Sequence, residues 1–143
     1  MSSYHEHAHL YDVAFSWDIT DEIGWLLDRL GPVRTIIEPA CGSARMFPAF
    51  AERGVEIVGI DLSATMLDRA RRRMAAARLP EPRLHIADIT GFDLGQTFDG
   101  AICPINSFGH ILDEHRALAH LRCVARHLKP GARYLLQVDL DDY

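Results

Sequence analysis

Three short apolar runs in this chain each stop on a carboxylate: "RTIIE" at 34–38, "VEIVGID" at 55–61 and "RLHIAD" at 83–88. Runs of this length, rich in branched residues and bounded by turn formers, read as buried strands. Two more follow, "FDGAIC" at 98–103 and "ARYLLQVDL" at 132–140. The segments between them have helical spacing instead. Residues 18–30 carry Ile19, Ile23, Leu26, Leu27 and Leu30, and Gly31-Pro32 stops them. A helix over about 43–53 ends at Gly54. Ser63 caps a helix through about 78, with Met66, Leu67, Ala70, Met74 and Ala77 on one face, ended by Pro80 and Pro82. Leu118, Leu121, Val124, Ala125 and Leu128 mark a helix over 112–128, broken by Pro130-Gly131. Strand and helix in alternation predict right-handed βαβ units. The expected fold is α/β: a doubly wound, mainly parallel sheet of about five strands, one domain over 1–143, with residues 1–10 mobile.

In such a sheet the ligand lies at the carboxyl ends of the strands, near the switch in strand order. Glu38, Asp61 and Asp88 all fall there. The stretch after the first strand, "IIEPACGSAR" at 36–45, strips its side chains almost to the backbone. A backbone turning sharply from strand to helix beneath a close ligand needs that: Gly42 removes the obstacle, and Ala40, Ser43 and Ala44 keep it small. The helix start would then offer free N–H groups to a negative part of the ligand.

Composition narrows the ligand. A net charge of −5 argues against nucleic acid as the main partner. The 143 residues hold no apolar stretch of the ~20 residues a membrane span requires. The N-terminus shows no basic region followed by an apolar core. Cys41, Cys103 and Cys123 form no CxxC, so neither a disulfide framework nor a metal site is expected, and the setting is expected to be cytoplasmic. His5, His7 and His9 read as a polar terminus. Arg69, Arg71, Arg72 and Arg73 read as a solvated helix face.

Two cofactor classes use a small-residue turn of this kind. A dinucleotide asks for G-x-G-x-x-G. Here the run is A-x-G-x-A-R, and Arg45 in the last position hinders close helix–strand packing. A nucleoside without a pyrophosphate fits better: Asp61, some 20 residues on, can accept from both hydroxyls of a ribose. The chain resembles the class I S-adenosylmethionine-dependent methyltransferases of the small-molecule type. "IIEPACGSAR" is similar to their first motif, E/D-x-G-x-G-x-G. "VGIDLSATMLDRAR", "HIADIT", "FDGAICPINSFGHI" and "LKPGARYLLQVD" resemble the next four, in order, over about residues 11–140.

The resemblance implies S-adenosyl-L-methionine as cofactor and a role for each matching residue. Ala40, Cys41 and Gly42 would pass beside its methionine part, with Met66 on the following helix, and Glu38 would face the amino group. Asp61 would hold the ribose, with Leu62 against the adenine. Asp88 would meet the adenine amino group, and Ile89 would pack on the ring. Cys103 and Pro104 would lie under the ribose or methionine chain. Tyr11 would close over the cofactor. His110 and Asn106, past the fourth strand, are the candidates for catalysis, with Ser107 beside them. The implied reaction is methyl transfer to a small-molecule acceptor. Two alternatives stay open here: a catalytically weak cofactor-binding or regulatory module lacking the C-terminal strands of the usual fold, and an NAD-type oxidoreductase, which Arg45 and the lack of Tyr-x-x-x-Lys disfavour. With no later strand beyond 140, the edge at 134–138 would invite self-association.

Overall fold

β1, Thr35–Pro39, is buried along nearly its whole length, with Ile36 and Ile37 both inaccessible to solvent. A strand apolar on both faces must sit mid-sheet with layers above and below it. In the computed structural model it does. The structure describes residues 7–105 and 107–140, and of Tyr11 the backbone alone. β1 is flanked by β2 (Glu56–Asp61) and β4 (Phe98–Cys103). β3 (Leu84–Ile86) lies outside β2, and β5 (Leu128–Leu136) outside β4. The order is β3-β2-β1-β4-β5, and every pairing is parallel. The chain builds outward from β1 to one side, then returns to build the other. The switch point therefore lies between β1 and β4, at their carboxyl ends.

The period-2 alternation of the strands divides the core in two. Ile36, Ile57 and Ile102 pack on one face against α2 (Thr20–Leu30), α3 (Phe47–Ala51) and α4 (Ala64–Ala76). Ile37, Val58, Ile60 and Ala101 pack on the other, against Cys123 and Val124 of α5 (Glu114–Arg126) and against Phe92. Ser63 caps α4 as expected, its side chain accepting from Met66 N–H, and Asp113 caps α5 in the same way through Arg116 N–H.

Four expectations are corrected. The helix expected from residue 43 begins at Phe47: residues 42–46 are a string of tight turns, closed by Ala44 N–H to the Cys41 carbonyl and Phe47 N–H to the Ala44 carbonyl. β3 stops at Ile86, two residues short of Asp88. β5 runs over Leu128–Leu136 rather than 132–140, because an irregularity in the pairing between Phe98 and Gly100 takes up Pro130-Gly131. The buried face of α5 is His120, Cys123 and Val124, while Leu118 and Leu121 are exposed. Both buried histidines are fully partnered, which removes the penalty that made an apolar stripe the expected one. His120 Nδ1 lies 2.7 Å from the Ile89 carbonyl and Nε2 2.6 Å from the Tyr134 hydroxyl, and His127 receives Leu94 N–H at 3.0 Å.

A seven-residue helix, α1 (Ala8–Ala14), precedes these elements. Ala8, His9 and Leu10 lie in it; His5 lies outside the described residues. Among the described residues no helix is long and apolar enough to cross a membrane.

Candidate active site

At the carboxyl end of β1 the chain changes hand three times. Ala40, Gly42 and Ala44 have φ of 56°, 55° and 59°. These are the left-handed values that glycine adopts freely and alanine does not. The alternation turns successive peptides through a tight cradle. At Gly42 a Cβ would stand 3.2 Å from Met66 Cε. The free N–H groups expected of a helix start are not at this loop: α3 begins only at Phe47, whose N–H bonds the Ala44 carbonyl, Pro48 after it has none, and Gly42 N–H is taken by Asp61 Oδ2 at 2.8 Å.

Asp61 ends β2 and is 8% exposed. Its other oxygen, Oδ1, accepts from Ser63 N–H at 2.8 Å. The carboxylate thus fastens the loop after β1 to the loop after β2, and each oxygen keeps a lone pair for a further donor. Leu62 beside it is half exposed, an apolar surface standing open at the rim. Cys41 is buried, and its thiol pKa is raised by burial and by Glu38 and Asp61, so it is a packed thiol rather than a reactive one.

Glu38 is the most unusual group in the fold. It is 4% exposed, and Oε2 has no hydrogen-bond partner among the described residues. Burial pushes its carboxyl up to about 8, against the pull of Arg45 and with a further push from Asp61 and Glu22. Arg45 was expected to hinder packing. Instead its Nη2 meets Glu22 Oε2 at 3.3 Å, and its guanidinium lies over Trp17, 4.8 Å from the ring centre. Its Nε and Nη1 are buried without a partner among the described residues. A lone carboxylate oxygen and two lone guanidinium nitrogens are thus buried close enough to interact, yet with no N–O contact within 4.0 Å.

On the other flank, Asp88 accepts from Thr90 N–H and Oγ1 on one oxygen and from Arg116 on the other, at 3.3 Å. Those bonds hold its carboxyl below the ordinary value. The Ile89 carbonyl is held by His120; since a carbonyl only accepts, Nδ1 carries the proton and Nε2 accepts from Tyr134. Burial lowers the His120 pKa, in keeping with that neutral ring. Cys103 and Pro104 close β4 and are buried, the Cys103 thiol pushed up to about 12 by burial. Ile105 has φ of 58°, costly for a β-branched residue, and is pinned by its N–H to Gln137 Oε1 at 3.1 Å. His110 stands exposed on a short turn, Phe108–His110. Ser107 Oγ donates to the Pro104 carbonyl. Asn106 and the Tyr11 side chain lie outside the described residues.

The sequence profile described as "Methyltransferase domain" matches residues 36–131, from Ile36 in β1 to Gly131 in β5. The chain belongs to this methyltransferase family. It is 32% identical over 135 residues to a dTDP-4-amino-2,3,4,6-tetradeoxy-D-glucose N,N-dimethyltransferase of Saccharopolyspora spinosa, covering 88% of this chain and 51% of that one. A dTDP-3-amino-3,6-dideoxy-alpha-D-glucopyranose N,N-dimethyltransferase of Streptomyces fradiae is 30% identical over 132 residues, 87% of this chain and 50% of that one. Among solved structures, S-adenosylmethionine-bound CalS10, an amino pentose methyltransferase from Micromonospora echinaspora, superposes with a TM-score of 0.81 at 28% identity, over 92% of this chain and 56% of that one. The chain spans about half the length of the curated relatives it matches. The fold is that of the class I methyltransferases, and the NAD-type alternative is not favoured.

Sequence reading missed Glu22, Trp17, Asp12 and His120 as parts of the site's framework. None carries a local signal: each matters through a partner at least 23 residues away or on another element.

Proposed function

We propose that the chain binds S-adenosylmethionine in the cradle at the end of β1 and transfers its methyl group to an amine-bearing small molecule. One observation carries the cofactor assignment. Glu38 Oε2 and Arg45 Nε and Nη1 are buried polar atoms without partners among the described residues, and a buried group of that kind is costly unless something completes it. An α-amino acid end brings an ammonium for the carboxylate and a carboxylate for the guanidinium. A nicotinamide dinucleotide brings neither.

The rest of the site fits the nucleoside. Asp61 accepts from the ribose hydroxyls with the lone pairs that Gly42 and Ser63 leave free. Leu62 covers one face of the adenine, and Ile89 packs against it. Asp88 takes the exocyclic amine on the oxygen that faces exposed Arg116. Cys41 and Met66 are the packed floor under the loop, and Cys103 and Pro104 wall the site from β4. When bound, the cofactor supplies an electrophilic sulfonium methyl. The protein's part is to orient it, exclude water and present the acceptor in line. A neutral amine acceptor attacks without a strong base, and needs only a route for the proton it then sheds.

The acceptor side is supported by an apolar groove of about 400 Å³ between α2 and the end of β5. Trp25, Leu26, Leu135 and Val138 line it, Glu22 charges it, and Pro104 is shared with the cofactor side. An amino sugar, which the relatives' names specify for those proteins, would set its ring on the apolar wall and its amine toward Glu22.

Calorimetry with three probes tests the cofactor reading. S-Adenosylhomocysteine should bind, 5′-methylthioadenosine should bind at least about 30-fold more weakly for want of the amino acid end, and NAD should not bind. Equal affinity for the first two, or tighter binding of NAD, overturns it.

A further inference from the structure

The turns after β1 are held in a shape their own residues resist. Left-handed backbone at Ala40 and Ala44 is disfavoured for L-residues, the two together by at least on the order of 30-fold in population. Such backbone persists only where the surroundings over-determine it. Gly42 between them is fixed by Asp61. The Ser43–Ala44 peptide is fixed from elsewhere. Arg73, on α4, donates from Nε to the Ser43 carbonyl at 3.0 Å and from Nη2 to Ser43 Oγ at 3.2 Å.

Arg73 is itself held. Its Nη2 also meets Asp12 Oδ1, at 2.9 Å, and Asp12 lies on α1. Asp12 pairs in addition with Arg69 and accepts from Ser43 Oγ. The Asp12, Arg69 and Arg73 side chains are 19%, 30% and 30% exposed, so solvent screens them only in part. These arginines are therefore not the plain solvated face expected from the sequence; Arg71 and Arg72 are.

We propose that Arg73, supported by Asp12 and Arg69, is a positioning residue that holds the cofactor loop in its left-handed form and ties the order of that loop to the docking of α1. The proposal rests on the cofactor reading above for its link to binding, and on geometry alone for its link to the loop. Its consequence is a coupling. Because the held shape is costly for alanine, losing Arg73 lets the loop relax, and a ligand must then re-order it. With glycine at positions 40 and 44 there is little strain to hold, and Arg73 matters less.

The test is a mutant cycle, Arg73→Met in the natural background and in an Ala40→Gly/Ala44→Gly background, with S-adenosylhomocysteine as probe. Arg73→Met should weaken binding about tenfold in the first and less than about threefold in the second. Hydrogen exchange on the unliganded protein gives an independent readout: Arg73→Met and Asp12→Asn should each deprotect residues 8–14 and 40–46 together. Arg73→Lys, which keeps the charge but not the fork, should fall between wild type and Arg73→Met, and with Asp12→Asn it carries the test if the methionine variant does not fold. Equal losses of affinity in both backgrounds, or unchanged exchange over 40–46, overturns the proposal. If the wild-type protein does not bind the probe at all, the cofactor reading fails, and the exchange result still decides the role of Arg73.

Discussion

Replacing Glu38 by glutamine should make the protein more stable above pH 6 while weakening its affinity for the cofactor. The carboxyl sits at about 8 in the fold against an ordinary value of 4.5, because burial penalises its charged form. Below pH 4.5 both the folded and unfolded states hold the proton, and the group costs nothing. Between 4.5 and 8 the folded state keeps a proton that the unfolded state has released. Stability therefore falls as pH rises, by ~1.4 kcal/mol per unit, and levels off above 8. At pH 7 the accumulated penalty is about 3 kcal/mol, a large share of the 5–15 kcal/mol typical of a domain. Glutamine keeps the shape and cannot ionise, but buries an amide with no ready partner, at about 1–2 kcal/mol. The variant should thus gain roughly 1–2 kcal/mol at pH 7 and more at pH 8, and lose about 1–2 kcal/mol below pH 4.5. Urea unfolding followed by far-UV circular dichroism, at pH steps from 5 to 8.5, reads both curves. Their difference isolates this one group, since all other titrations are shared. Affinity for S-adenosylhomocysteine should fall at least about tenfold at pH 8, because a charge-assisted bond to the ammonium is lost. Parallel pH profiles for the two proteins would refute the reasoning, by showing that Glu38 titrates normally in the fold.

Asp61→Ala should weaken S-adenosylhomocysteine binding by ~10–100-fold and also lower the urea midpoint, because Gly42 and Ser63 N–H lose their acceptor; affinity unchanged in calorimetry would remove the ribose assignment. Ala40→Gly should stabilise the protein by about 1 kcal/mol through relief of left-handed strain, whereas Ala44→Gly should be close to neutral, its fully buried methyl offsetting the relief; equal effects in denaturant titration would contradict this. Gly42→Val should abolish binding and also cost stability, since a branched residue resists φ of 55° and its Cβ presses on Met66; a variant with wild-type midpoint and affinity would mean that the loop is not the cradle. His120→Leu should cost about 1–3 kcal/mol by removing the partner of the Ile89 carbonyl and leaving the Tyr134 hydroxyl with the Cys103 thiol in place of the ring; a change within 0.5 kcal/mol, on the order of an inert surface substitution, would show that water replaces the ring.

The sequence by itself determined the sheet, its parallel sense and the placing of acids and small residues at the carboxyl ends of its strands. Those follow from local pattern. A strand such as 34–38, apolar on both faces, needs cover on both, and helices between strands force parallel pairing. The placement of Glu38, Asp61, Cys103 and Pro104 was legible for the same reason: each sits at or beside the end of a strand, and strand ends are set by short-range chemistry. The tertiary structure alone decided how those residues are used. That the Ser43–Ala44 turn is held by Arg73, 30 residues from Ser43, and that Arg73 is held by Asp12, farther still, follows from where α1 and α4 lie. That Arg45 turns to Glu22 and Trp17 instead of obstructing the loop depends on where α2 lies. The buried face of α5 is rotated from its leucines to His120 because Ile89 and Tyr134, 31 and 14 residues away, supply partners that make a polar face cheap to bury. Periodicity reports which residues prefer to avoid water. It does not report which polar groups will find each other, and that pairing over long sequence separations fixed the shape and the charge of this site.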